Sequence, residues 1–386
     1  MKKDRENKNA MFKICTMFKI WVMFTVSFVF FPFVLFSSLS VAIFMSPQEM
    51  SFHYNLIPVE NRILNGKTSI AILNAFFPPT LEKDLDLFCS WYNLPSPNIF
   101  IHHTTIQESS IETKTNWYRE MNMDVQWAHA MSPGIPIHIV ISGGTTLSHM
   151  NQALRFIVSS LSVEVVSISW GVHSAMNGKD KTDLSIFETI ASSPSAPLFV
   201  VASGDTPQEY WPACSSHVLS VGGTIVIGDH WIDKGDHWID KGDHWIDQGE
   251  IEMNWPDSGG GTCSMYQPYS NRLVPDVGFM AAPGVLSYQE GKQVGIAGTS
   301  IGAPVWASLI ASSPITHHLF KSTSLSNSPS ISTSFAFLQW IYSNLSIPYL
   351  HYIQSSNRSD IIKHNVNISN DREYNIKSGL GVPFHF

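Results

Sequence analysis

Short apolar runs alternate along this chain with longer stretches in which apolar positions recur at helical spacing. That alternation confines it to an α/β architecture, a doubly wound and mostly parallel sheet with helices on both faces. The candidate strands are Ser69–Leu73, Ile135–Ser142, Val163–Trp170, Leu198–Ala202, Val218–Val221 and Gly291–Ala297. The candidate helices are Thr80–Trp91, Thr115–Met131, Thr146–Ser159, Leu184–Ser192 and Ser300–Ser312. With 44% hydrophobic and 12% aromatic residues, the chain is too apolar for a disordered polypeptide. One large domain is expected over residues 46–386, with a Ser-rich exposed loop between Lys321 and Thr333.

Residues 1–45 read differently. Ile20 to Met45 is a run of 26 residues without a charge, preceded by six Lys or Arg side chains. At about 1.5 Å per helical residue such a run crosses a hydrocarbon core of about 30 Å. The basic flank would stay in the cytoplasm, which places the remainder outside it or in a lumen. A cleaved secretory signal fits equally, because Ser40-Val41-Ala42 offers a small-x-small site. Sequons at Asn344, Asn357 and Asn367 agree with export.

The rest of the chain carries 17 basic against 29 acidic side chains, which argues against a nucleic-acid partner. Beyond the leader there are three cysteines, Cys89, Cys214 and Cys263, enough for one disulfide and one free thiol, with the pairing open. The heptapeptide Gly-Asp-His-Trp-Ile-Asp-Lys repeats between residues 228 and 249 and reads as a duplicated surface loop.

Chemistry-bearing residues fall in four places. Ser300 lies in Gly298-Thr-Ser-Ile-Gly-Ala-Pro304, at a strand-to-helix junction where backbone N–H groups converge. That heptapeptide satisfies the G-x-S-x-G of α/β-hydrolases and equally the Gly-Thr-Ser-x-x-x-Pro of subtilisin-like peptidases. Glu120 and Asp124 are four residues apart in a candidate helix, so their carboxyls share one face beside Trp117 and Trp127. Asp205 follows the strand Leu198–Ala202, where open α/β sheets bind ligands. Ser258-Gly-Gly-Gly261 lets backbone approach a substrate closely.

Taken in order, these stretches resemble the sedolisin family of serine-carboxyl peptidases. The matching segments are Glu120-x-x-x-Asp124-Val-Gln-Trp-Ala-His-Ala-Met-Ser-Pro133, Val165-Val-Ser-Ile-Ser-Trp-Gly171, Ala202-Ser-Gly-Asp205, Trp211-Pro-Ala-Cys-Ser-Ser-His-Val-Leu-Ser-Val-Gly-Gly-Thr224, Ser258-Gly-Gly-Gly261, Val274-Pro-Asp-Val277 and Gly298-Thr-Ser300. The resemblance implies a subtilisin-like fold and hydrolysis of peptide or unfolded-protein substrates at acidic pH by a monomer without an organic cofactor. It implies Ser300 as nucleophile, Glu120 as general base, Asp124 as its supporting carboxylate and Asp205 as the oxyanion-side acid. A carboxylate base suits an acidic compartment, and Asp205 must be protonated to donate to an oxyanion. Activity is therefore expected to fall as pH rises towards 7.

Departures from the family pattern carry expectations of their own. The family's long propeptide has no counterpart in the 45 residues before Ser46, which implies a chain that folds without it or a reduced copy. Asn74 stands where some members have a Glu that assists the catalytic Glu, and Ser174 where an acidic residue is frequent. The resemblance implies a Ca²⁺ site at Asp360 and Ile361, completed by a later loop. Here that loop reads Asp371-Arg-Glu373-Tyr-Asn375, without the family's glycines and final Asp, so the expected site is degenerate. Two further readings are a catalytically reduced peptide-binding module and an esterase using Ser300, Asp360 and His364 or His385.

Overall fold

The computed structural model describes residues 44–56, 68–104, 111–173, 181–227, 251–263, 272–313, 333–343, 350–351, 361–362, 374–375 and 377–383. Its frame is an eight-stranded sheet built from β1 (Ile70–Asn74), β2 (Ile99–His103), β3 (Ile137–Ile141), β4 (Val165–Ile168), β5 (Leu198–Ala202), β6 (Val218–Ile227), β7 (Ile251–Asn254) and β8 (Val277–Ala282). The spatial order is β8-β6-β5-β4-β1-β3-β2, with every neighbouring pair parallel. Strand β7 alone is antiparallel, pairing Thr224 with Asn254 and Ile227 with Ile251 at the far end of β6.

Burial on both faces explains why these strands read as unbroken apolar runs. In β1, Ile70 and Ile72 enter one core while Ala71 and Leu73 enter the other. The first core is closed by α2 (Leu81–Trp91), α3 (Ile111–Met131) and α6 (Gly302–Ser312), through Phe88, Met121, Val125, Trp306 and Leu309. The second is closed by α4 (Leu147–Ser160) and α5 (Lys181–Ala191), through Met150, Leu154, Ile157 and Phe187. A short helix, α1 (Pro47–His53), begins with a capping box in which Ser46 Oγ accepts from Glu49 N and Ser46 N donates to Glu49 Oε2. A further helix, α7 (Thr333–Ser343), follows residues 314–332.

All six expected strands and all five expected helices are present, with ends shifted by a few residues and β6 extended to Ile227. The sixth strand is placed differently. Residues Lys292–Ile296 form β10, which pairs antiparallel with β9 (Val285–Gln289) in a hairpin outside the main sheet. Its residues are mostly exposed, so it alternates in environment and lacks the two buried faces of a sheet strand. Position 300 does follow a strand and open a helix, but that strand lies outside the main sheet. Strands β2 and β8 escaped the sequence because β2 is an edge strand with a half-exposed pattern, and β8 runs straight into a Pro-Gly turn.

The expected leader over residues 1–45 lies outside the described residues up to position 43, as does the repeat 228–249. Ser174, the sequons at Asn344, Asn357 and Asn367, and His364 and His385 also lie outside them. Among the described residues no helix is long and apolar enough to cross a membrane.

Candidate active site

Three parallel strands end at the same edge, and their trailing residues build one cluster. β1 ends on Asn74, β4 is followed by Ser169 and Trp170, and β5 is followed by Ser203, Gly204 and Asp205. Helix α3 brings Glu120 and Asp124 to that edge, one turn apart on the same face. Ser300 sits in the 3₁₀ turn Thr299–Ile301 that leads into α6, and Gly298 N fixes this turn to the sheet by donating to Ala281 O at 2.9 Å.

Ser169 joins the pieces. Its Oγ lies 2.8 Å from Asp124 Oδ1 and 3.1 Å from the carbonyl oxygen of Ser300. The sequence comparison contained Ser169 but gave it no role. The signal available was its position directly after a buried strand, where a small hydroxyl meets whatever the neighbouring helix presents. On the other side, Asp205 Oδ1 accepts from Thr299 N at 2.8 Å and from Thr299 Oγ1 at 2.9 Å.

Electrostatics tie the three acids together. Burial pushes the Glu120 carboxyl up to about 7, the Ser300 side chain opposes this as a hydrogen-bond donor, the charge of Asp205 adds to it, and Ser169 again opposes it. Glu120 Oε1 is buried with no partner among the described residues. Asp124 is fully buried, and its carboxyl is held well above the usual range by that burial and then by the charge of Glu120. Donation from Ser169 and from the Asn74 amide partly offsets the rise. The Asn74 contact is loose, since Asp124 Oδ2 and Asn74 Nδ2 each lack a well-formed bond. Asn74 Oδ1 accepts from Phe76 N at 3.4 Å, which leaves the amide nitrogen for Asp124.

Two glycines are dictated by this packing. Gly298 has φ 141°, and a Cβ there would lie 2.7 Å from Asp205 Oδ2. Gly259 would place a Cβ 2.1 Å from Ser203 O, so the glycine-rich stretch lies directly against the segment that carries Asp205. Trp117 and Trp170 meet edge to face at 5.5 Å, one turn from Glu120 and next to Ser169. Both pack against the second core.

Elsewhere, the backbones of Ile361 and Asn375 are paired opposite one another in a two-stranded antiparallel ladder. Asp360, Asp371 and Glu373 lie outside the described residues, and no group of three metal-ligating side chains occurs among the described ones. The pairing left open by the sequence is resolved: Cys214 and Cys263 form a disulfide, and Cys89 is free and buried. A nucleophile elbow of the α/β-hydrolase type requires a strand of the central sheet before the serine. Here the serine follows a hairpin arm, so the esterase reading loses its structural context.

Tripeptidyl-peptidase 1 of Dictyostelium discoideum is 29% identical over 212 residues, covering 50% of this chain and 35% of the relative. The match thus spans about a third of the relative's length. Among solved structures, Pseudomonas sedolisin, a serine-carboxyl proteinase complexed with two molecules of pseudo-iodotyrostatin, superposes with a TM-score of 0.62 at 21% identity. That superposition covers 89% of this chain and 96% of the other and shows a shared subtilisin-like fold. No protein-family model matches the chain.

Proposed function

For a chain related to the sedolisin family of serine-carboxyl peptidases, we propose hydrolysis of peptide bonds at acidic pH by Ser300, Glu120, Asp124 and Asp205. The observation that carries this reading is the meeting of helix α3 with the Ser300 turn through Ser169, with Asp205 bound to Thr299 on the opposite side. Ser300 Oγ attacks the scissile carbonyl carbon while its proton passes to Glu120. Asp124, buried behind Glu120, shares the proton load of the pair. The oxyanion that forms accepts a hydrogen bond from protonated Asp205 and from backbone N–H groups of the turn. Glu120 then gives its proton to the leaving amine, and water enters by the reverse route to release the acyl group.

The reaction needs an ionised Glu120 and a protonated Asp205 together. Loss of the Glu120 proton as pH rises towards about 7 supplies the base, so the rate depends on pH. The substrate is a peptide or an unfolded protein. Export is supported by the uncharged run before residue 46 and by the Cys214–Cys263 disulfide, which an oxidising compartment preserves. The uncharged run up to residue 43 would hold the enzyme at a membrane, since Met45 is already packed in the core of the domain. The enzyme acts as a monomer.

A calcium ion fits the C-terminal region in one respect: the ladder that sets Ile361 opposite Asn375 draws the two expected ligand segments together. Asp360, the Ile361 carbonyl and Asn375 would hold it with Asp371 or Glu373, and its role would be to fix the chain there. The functional test is Ser300→Ala against wild type on a denatured protein at acidic pH. Loss of cleavage by at least about a thousandfold is expected for the variant. Wild-type activity no higher than the variant's would identify a peptide-binding module instead.

A further inference from the structure

We infer that Lys377 is a positioning residue for the reaction proposed above, clamping the glycine-rich stretch 258–261 so that it holds Asp205 in place. A wall made of Gly259, Gly260 and Gly261 has no side chains of its own to anchor it, and glycine loses more backbone freedom on ordering than any other residue. Its anchors must come from outside. Lys377 supplies them from the C-terminal segment: it is only 8% exposed, and its Nζ donates to Ser258 O at 2.8 Å and to Pro256 O at 3.1 Å.

The backbone of the same residue completes the clamp. Lys377 O accepts from Ser258 Oγ at 2.9 Å, while that hydroxyl accepts from Gly223 N at 2.8 Å. The stretch is thereby fixed to strand β6 from below. A buried ammonium is costly unless its hydrogens are bonded, so holding it against two main-chain carbonyls is a stronger restraint than a neutral donor would give.

From this wall the restraint passes to the site in two short steps. Gly259 N donates to Gly204 O at 2.7 Å, and Ser203 Oγ donates to Gly259 O at 2.9 Å. Gly204 N in turn donates to Thr299 Oγ1 at 3.1 Å, next to the two bonds from Thr299 to Asp205 Oδ1. Asp205 is itself exposed, so its carboxyl depends on these backbone contacts for orientation. Slack in the wall would move the oxyanion donor.

The test compares full-length wild type with Lys377→Met, which keeps the stem and removes the cation, and Lys377→Arg, which keeps the cation. Hydrogen–deuterium exchange should rise at least about tenfold in segments 203–206 and 258–262 of Lys377→Met, remain unchanged in the hairpin 285–296, and return towards wild type in Lys377→Arg. In turnover of a peptide substrate, Lys377→Met should lower kcat about tenfold or more with KM within about twofold. The loss should vanish when the variant is made in an Asp205→Asn background. Unchanged exchange in 203–206, or a kcat loss that multiplies with that of Asp205→Asn, overturns the inference. Exchange needs no turnover, so an inactive wild type would overturn the peptidase reading while leaving the clamp decided by the exchange result. Should Lys377→Met not fold, a Lys377→Arg protein with wild-type exchange in 203–206 sustains the clamp and one with raised exchange there refutes it.

Discussion

Glu120 shows at the scale of a single residue how function and stability oppose one another. Burial raises its carboxyl from 4.5 to about 7, so the folded chain binds a proton there more tightly than the unfolded chain does. The stability associated with that proton is present in full below about pH 4.5 and is lost as pH rises through about 7. Glu120→Gln removes the loss. Thermal or urea unfolding should find the variant more stable than wild type at pH 8, by about 2 kcal/mol after allowance for its partial exposure, and little different at pH 4. Equal stabilities at pH 8 would mean the carboxyl is solvated. Ser169→Ala should act in the other direction, because it leaves the buried Asp124 without its shortest hydrogen bond. A fall in kcat of about tenfold to a hundredfold is expected, corresponding to about 1–3 kcal/mol for a buried acceptor left unsatisfied.

At the scale of elements, the parallel strands declared themselves because burial on both faces makes their sequences continuously apolar. The residues that chemistry needs were legible for a related reason: a carboxylate pair at helical spacing and a serine between glycines are local patterns. What stayed hidden was relational. Nothing in the run Val165–Trp170 says that Ser169 will face Asp124 across 45 positions, and nothing in Lys377 says that it will hold Ser258. The strand ahead of Ser300 was legible but its pairing was not, because a hairpin arm and a sheet strand share length and β-propensity. The disulfide is a similar case, since three candidate thiols allow three pairings. Cys214–Cys263 closes 49 positions of chain, which include the repeat. Reduction should lower stability by about 4 kcal/mol in the chain-entropy account, seen as a fall in Tm, whereas alkylation of the buried Cys89 requires unfolding first. No change in Tm on reduction would show that the denatured chain is held together by other means.

For the molecule as a whole, one sheet edge collects the ends of β1, β4 and β5, a helix brings two acids to it, and the turn before α6 adds the serine. The C-terminal segment reaches back to the same edge through Lys377. A chelator should lower Tm by several degrees, reversibly on adding Ca²⁺, with no shift if the degenerate loop no longer binds. The central claim is that a carboxylate takes the proton of Ser300 while a protonated carboxyl supports the oxyanion. Its most direct test is kcat/KM for a peptide substrate measured from about pH 4 to 8. The account predicts a rate constant that changes with pH across that range, and one flat throughout it would contradict it.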